Sequence, residues 1–486
     1  MRSRSLSAVA RCATVVALVT TPVLLAAPAA GAAEARTTTA ASAPRADFNK
    51  DGYADLAVSA PAGTVDGKAK AGYVAVVYGS ASGAATGHRQ IISQATEGVP
   101  GDPDASAYFG GRTVARDLDG DGYTDLAIEV GDKPAVTVLW GSANGLTGGT
   151  QLPEGDGDNF GSSIIAGGDF NGDGHADLVD QVIVNKGSDF DERTGLRVRF
   201  GPFNRAGEAA GSATVDTDKI DRPTSLTAGD LNGDGKDELV STHAFEEMSE
   251  DTLVWKGGTD GLGKTPTKLT DAATTAIGDV DKDGYGDLIM RTVPDNVVEE
   301  LPYDHGTLKV FYGTASGPST TRTKTIDQNT AGVPGVNEDG DQFGYSLSAG
   351  DVNGDGYADV AVGIPYEDLE AGQADAGSVV QLYGGSGGLS GTGAQAFTQD
   401  TAGVPGVAEA GDRFGAAVQL ADTNGDGAAD LSAGAPDEDG AYTSSGAAWV
   451  LRGKAAGLTT DGVVSFGPDT LGAPEAGAFL GSGYSR

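Results

Sequence analysis

Residues 351–362 read DVNGDGYADVAV, and their spacing decides how the rest of the chain is read. Oxygen-bearing side chains stand at alternate places (Asp351, Asn353, Asp355), Gly356 follows at the sixth, and Asp359 comes at the ninth, just before an apolar run. A short loop with that alternation turns its oxygens toward one point. Glycine at the sixth place allows the sharp backbone turn, where a side chain would be strained. The seventh residue, Tyr357, offers its backbone carbonyl. An all-oxygen donor set suits a hard cation such as Ca²⁺, which takes about 6–8 oxygens at roughly 2.3–2.6 Å.

Six further copies occur: DFNKDGYADLAV (47–58), DLDGDGYTDLAI (117–128), DFNGDGHADLVD (169–180), DLNGDGKDELVS (230–241), DVDKDGYGDLIM (279–290) and DTNGDGAADLSA (422–433). In chain order they make loops 1 to 7, with 351–362 as loop 6. The expected calcium ligands fall into five classes. Position 1 is Asp47, Asp117, Asp169, Asp230, Asp279, Asp351 and Asp422. Position 3 is Asn49, Asp119, Asn171, Asn232, Asp281, Asn353 and Asn424. Position 5 is Asp51, Asp121, Asp173, Asp234, Asp283, Asp355 and Asp426. Position 7, through its carbonyl, is Tyr53, Tyr123, His175, Lys236, Tyr285, Tyr357 and Ala428, a free variation that fits a backbone ligand. Position 9, expected to close each cage with two oxygens, is Asp55, Asp125, Asp177, Glu238, Asp287, Asp359 and Asp430. Up to seven structural Ca²⁺ ions are expected. The alternative for each loop is an Asp/Gly-rich turn without metal.

A helix–loop–helix calcium site would need a bidentate Glu at position 12. That place holds Val58, Ile128, Asp180, Ser241, Met290, Val362 and Ala433. Position 10 is Leu or Val in every copy, so each loop leads into a β-strand.

The loops begin 49 to 72 residues apart. Phe-Gly precedes several of them (Phe109-Gly110, Phe160-Gly161, Phe343-Gly344, Phe414-Gly415), and Ser59-Ala60-Pro61, Gly363-Ile364-Pro365 and Gly434-Ala435-Pro436 follow others. A third strand ends in an aromatic–glycine turn, as in VAVVYGSASG (74–83) and VVQLYGGSGGL (379–389), and a fourth strand follows. Four short strands per unit in seven units predict an all-β, seven-bladed β-propeller. Loop 1 lacks a Phe-Gly strand before it, whereas AFLGSGYS (478–485) is such a strand with no loop after it. The C-terminal strand is therefore expected to complete the first blade and close the ring.

With these motifs the chain resembles the FG-GAP repeat family, the integrin-α-like propellers and their secreted bacterial relatives, over residues 45–486. The resemblance implies calcium loops between the first and second strands of each blade, on one face, with ligands meeting the opposite face. The chain departs from the pattern where loops 3, 4 and 5 lack a clear Gly-Ala-Pro and loops 4 and 5 lack Phe-Gly.

The N-terminus starts with Arg2, Arg4 and Arg11, continues as an apolar stretch over residues 13–27, and reaches small residues at 30–35. This reads as a signal peptide (1–33) cleaved near 30–36, then a linker (34–44). A secreted, extracellular protein without a membrane span is expected. Cys12, the single cysteine, lies in that leader. The formal net charge is −37, which argues against nucleic acid and anionic lipid as partners. Seven divalent ions would return fourteen positive charges.

Catalytic signals are poor. His88, His175, His243 and His305 form no close metal pair, and residues 384–388 (GGSGG) match Gly-x-Ser-x-Gly only at a turn that recurs in every unit. Stretches 185–193, 243–251, 293–305 and the repeated TAGVPG (330–335, 401–406) are expected as variable loops open to a ligand. The expected function is a non-catalytic, monomeric binding or adhesion module for an extracellular protein or glycan. The alternatives are a lectin-like propeller, for which Tyr78, Trp140, Trp255, Tyr312 and Tyr383 would have to serve as exposed platforms although their place at a strand end favours core or turn packing, and a calcium-dependent polysaccharide lyase or phosphoesterase.

Overall fold

The structure is a computed structural model that describes residues 46–131, 135–153, 164–185, 193–369 and 372–486. The leader, the linker, Phe160-Gly161 and residues 186–192 lie outside the described residues. Among those described, no helix is long and apolar enough to cross a membrane.

Six antiparallel sheets have four strands in chain order, and a seventh has three. Blade 6 shows the pattern with Ser346–Gly350, Asp359–Ile364, Ser378–Tyr383 and Ser390–Phe397. The other blades span residues 56–92, 113–151, 165–219, 225–269, 272–326 and 417–466. Second and third strands are buried on both faces, as in Leu56–Ala60 and Tyr73–Tyr78, because each sheet is covered by a neighbour on either side. This explains why they read as unbroken apolar runs.

The apolar core divides into seven clusters, and each straddles one pair of adjacent blades. Leu126 and Ile128 of blade 2 pack with Val74 and Val76 of blade 1. Val360 and Val380 of blade 6 pack with Ile289 and Val310 of blade 5. The seventh cluster joins Ala448 and Val450 of blade 7 to Leu56 and Val58 of blade 1, with Ala478, Leu480 and Tyr484 between them. Seven sheets and seven junctions make a closed seven-bladed β-propeller.

Closure follows the expected route. The three-stranded blade 1 is completed by the C-terminal segment: Val58 bridges Tyr484, the Ser59 amide donates to the Gly483 carbonyl at 2.8 Å, and the Ser485 amide donates to Ala57 at 3.1 Å. Leu480, fully buried, takes the place that Phe414 holds in blade 7, and Phe479 stands outside it with φ at 56°. Their amide bonds match, Leu480 to Ser445 and Phe414 to Ala376.

One expected loop is largely a hairpin. Residues 243–251 sit mostly in Glu238–Phe245 and Met248–Trp255, paired His243 to Glu250 and Phe245 to Met248. The run of acids hid the alternation, and only Glu246 and Glu247 turn the corner. His243 is buried, with Nε2 against Ser241. Stretch 293–305 holds two short 3-10 turns, Pro294–Asn296 and Val298–Tyr303.

Candidate metal loops and the two faces of the ring

In blades 2 to 7 each acidic loop joins the first strand to the second, as expected, loop 1 leads into the second strand of blade 1, and the third-to-fourth-strand turn lies at the same end. The loop backbone is held by its own side chains. In loop 6 Asp351 accepts amides from Gly354 (2.7 Å), Asp355 (3.2 Å) and Gly356 (2.7 Å), and Asp355 accepts the amide of Tyr357 at 3.0 Å. Gly356 has φ of +86°, and the sixth-place glycines of the other loops lie between +82° and +96°. The second residue of each loop (Phe48, Leu118, Phe170, Leu231, Val280, Val352, Thr423) points inward and is fully buried.

Position 9 does more than the sequence reading assigned. Its carboxylate, buried in every loop, accepts one amide from position 2 and one from the glycine of the aromatic–glycine turn. Asp55 takes Phe48 (2.8 Å) and Gly79 (2.9 Å), Asp125 takes Leu118 (2.9 Å) and Gly141 (2.7 Å), and Asp359 takes Val352 and Gly384 (both 2.9 Å). Asp177, Asp287 and Asp430 repeat this with Gly201, Gly313 and Gly453. Glu238 spans the same gap in loop 4 by accepting from Leu231 and Gly257. The seven turn glycines are therefore site residues that the sequence reading missed. A Cβ at any of them would sit 2.3–2.5 Å from the carbonyl oxygen of loop position 8. The signal was a glycine closing each third strand, directly after an aromatic residue in five of the seven and after Lys256 and Arg452 in the other two.

The loops are also joined to one another. The position 8 amide of one loop donates to the position 1 carbonyl of the preceding loop: Thr124 to Asp47, Asp237 to Asp169, Gly286 to Asp230, Ala358 to Asp279, Ala429 to Asp351 and, across the closure, Ala54 to Asp422, at 2.7–3.1 Å. Lys50 and Lys282, at position 4, reach the carbonyls of Asp121 and Asp355 in the next loop and lie over Tyr123 and Tyr357.

The donor set fits a hard divalent cation. Carboxylate oxygens of Asp117, Asp119 and Asp121, and of Asp279, Asp281 and Asp283, converge to within 4.8 Å of one another. Asn232 at position 3 of loop 4 is buried and its Oδ1 has no hydrogen-bond donor. Burial pushes Asp55, Asp125, Asp177, Glu238, Asp287 and Asp359 up to about 7, against the pull of the amides they accept. A cation among these oxygens offsets that cost.

The recurring aromatics, which a lectin-like propeller would need exposed, pack inside as their place at a strand end predicts, with Tyr383 half-buried. Tyr78, Trp140, Trp255 and Tyr312 are buried. The hydroxyls of Tyr78 and Tyr383 accept the amides of Leu146 and Leu458 from a neighbouring blade, so these rings tie blades together. Residues 384–388 form the plain turn expected, with Gly384 bound to Asp359 and Gly385 to the Val280 carbonyl.

The two ends of the ring differ. The eight large apolar side chains that stand exposed among the described residues are Tyr108, Ile220, Met248, Tyr303, Val336, Tyr345, Val407 and Tyr442. Seven lie in second-to-third-strand connections or between blades and Met248 opens the third strand of blade 4 beside its hairpin turn, all at the end away from the acidic loops. That end also carries acid pairs: burial and Glu367 push Asp341 up to about 7, and burial and Asp412 do the same to Glu438.

Fold and loops together define a class, the seven-bladed propellers with an acidic loop in every blade. The family model described as FG-GAP repeat matches residues 39–77, 343–380 and 414–451, and the one described as FG-GAP-like repeat matches 117–179. Over these stretches the chain carries FG-GAP repeats and is similar to integrin α chains. Similar proteins include integrin alpha pat-2 of Caenorhabditis briggsae, 32% identical over 247 residues (46% of this chain, 18% of the integrin). Integrin alpha-PS2 of Drosophila melanogaster is 39% identical over 116 residues (23% and 7%), and integrin alpha-E of Mus musculus is 32% identical over 162 (33% and 13%). The matches thus cover less than a fifth of each of these integrins. Among solved structures, rhamnogalacturonan lyase YesW aligns with a TM-score of 0.32 at 15% identity, over 68% of this chain and 61% of the lyase. The V. cholerae biofilm matrix protein Bap1 aligns at 0.25 and 12%, over 80% and 86%. At these TM-scores neither bears on activity.

Proposed function

We propose that the chain is a calcium-loaded, non-catalytic binding propeller that works outside the cell and engages a protein partner with the face opposite the acidic loops. The carrying observation is the placement of all eight exposed large apolar side chains at that end. Single exposed apolar residues are ordinary on any surface, but their confinement to one end marks an interaction face. The integrin-like repeats support a protein partner.

In this reading the loops give stability, and calcium would be held by positions 1, 3, 5, 7 and 9. When bound it supplies positive charge among carboxylates that otherwise repel one another. Position 9 fastens the loop to the adjacent turn through its two amide bonds, whether or not it also touches the ion. Those bonds also occupy the buried carboxylates, which supports a non-catalytic role. The burial of the repeated aromatics favours a protein partner over a glycan.

The test is a pair of binding measurements on the purified chain in millimolar calcium. A glycan array is expected to show no saturable binding. Adhesion of an extracellular-protein panel to the immobilised chain is expected, and to be lost in a Tyr303→Ala, Val407→Ser, Tyr442→Ala triple variant that melts like the parent. Saturable glycan binding that survives the triple variant would overturn the reading.

A further inference from the structure

Loops 2 and 5 are alike in two respects that set them apart. They alone carry a carboxylate at position 3, Asp119 and Asp281, where the other five have asparagine. Among the described residues they are also the two loops on which an arginine pairs with positions 3 and 5. Arg205 places Nε 2.6 Å from Asp119 and a terminal nitrogen 2.7 Å from Asp121. Arg322 pairs with Asp281 and, at 3.3 Å, with Asp283. In both cases one guanidinium spans positions 3 and 5, and its central carbon lies over an aromatic ring, 4.9 Å from the centre of Trp140 or 4.2 Å from that of Tyr312.

The two arginines reach this geometry by different routes. Arg205 comes from the third-to-fourth-strand turn of blade 3 and crosses to the loop of blade 2, whereas Arg322 comes from the corresponding turn of blade 5 itself. One arrangement reached by two paths, at the two loops with the extra carboxylate, ties the arginine to that carboxylate. Elsewhere the neutralisation is weaker. Asp234 and Asp426 each meet lysine at one carboxylate only. In loops 1 and 3 the position 3 amide donates to the position 5 carboxylate, Asn49 to Asp51 at 2.8 Å and Asn171 to Asp173 at 3.0 Å.

We infer that Arg205 and Arg322 are tethered counter-cations, which compete with calcium for positions 3 and 5 and make loops 2 and 5 the last to fill. This rests on the calcium reading above. A guanidinium supplies one positive charge and a planar fork that matches two carboxylate oxygens, so it satisfies the loop without metal. Both arginines are about half exposed (48% and 49%), so each head can leave its loop for water while its stem stays anchored in the turn. The loops richest in carboxylates are then the ones stable without the ion, and the asparagine loops bind it first.

The experiment titrates CaCl₂ calorimetrically into the chelator-stripped full chain, alongside Arg205→Gln, Arg322→Gln and the double variant, with melting in chelator measured for each. The wild type is expected to bind in a tight and a weak group. Each substitution is expected to move one equivalent toward the tight group by about tenfold, the worth of an exposed ion pair plus a cation–π contact. The double variant should melt lower than wild type in chelator and equally at saturating calcium, and Arg205→Lys should restore part of the metal-free stability. Calcium affinity unchanged or weakened by the substitutions would overturn the inference, because the arginines would then be bystanders or supports of the ion. No calcium uptake by the wild type would instead overturn the calcium reading itself.

Discussion

The two ends of this ring obey opposite rules. At the loop end the same backbone problem recurs seven times, and the same residue types solve it: glycine at position 6, an acid at position 9, and a glycine in the facing turn. At the other end connections vary in length and composition, and apolar side chains are left in water. The first end is constrained by amides and carboxylates that must meet within hydrogen-bond distance, whereas the second has only to be soluble and free to vary. Substitutions should therefore cost stability at one end and binding at the other.

The largest expected effect that would break this contrast is removal of the metal. Each filled loop at tenfold excess over its dissociation constant adds roughly 1.4 kcal/mol, so several loops together are worth several kcal/mol. Excess chelator is expected to lower the melting temperature by roughly 5–10 °C, since a chain of this length shifts by about 1 °C per kcal/mol, and an unchanged transition would reduce the loop end to plain turns. Deleting residues 478–486 comes next. It removes Ala478, Leu480 and Tyr484 from the junction of blades 7 and 1, and a loss of about 5 kcal/mol or failure to fold is expected by denaturant melting.

Asp359→Ala sharpens the role of position 9. It leaves the amides of Val352 and Gly384 unpaired, at a cost of about 3 kcal/mol. Gly384→Ala should cost a comparable amount, since its Cβ would meet the Ala358 carbonyl oxygen at 2.4 Å. Both are read from chemical denaturation at saturating calcium.

A smaller effect concerns pH. Position 9 acids such as Asp55 and Asp359 stand at about 7 in the metal-free fold, above the ordinary value near 4. The fold then holds more protons than the unfolded chain between about pH 4 and pH 7, so its stability falls as pH rises through that window. In chelator, melting temperature is expected to drop between pH 5 and pH 8, and calcium should flatten or reverse the slope. The smallest effect is at the opposite end: Tyr303→Ala, Val407→Ala and Tyr442→Ala should each shift stability by less than about 0.5 kcal/mol.

Much of this was legible in the chain. The loops, their end of the ring and the closure through the C-terminus all follow from residues whose backbone geometry admits few substitutes. The role of position 9 was half legible, because an acid that accepts amides and one that binds metal look alike in a string of letters. That Leu480 takes the buried place was not legible, because only Phe479 is aromatic and only Leu480 directly precedes a glycine. Arg205 was out of reach altogether: it lies 84 residues from Asp121, and only the stacking of blade 3 against blade 2 brings them together.

The strand that finishes blade 1 is translated more than four hundred residues after its neighbour in that sheet. Until it arrives, Leu56–Ala60 presents a bare hydrogen-bonding margin, able to pair with any passing strand, including that of another nascent copy. A fold so dependent on its last contact gathers slowly and all at once. Its time of greatest exposure to aggregation is therefore the interval before that strand emerges, which makes elongation speed and chaperone cover the natural determinants of yield.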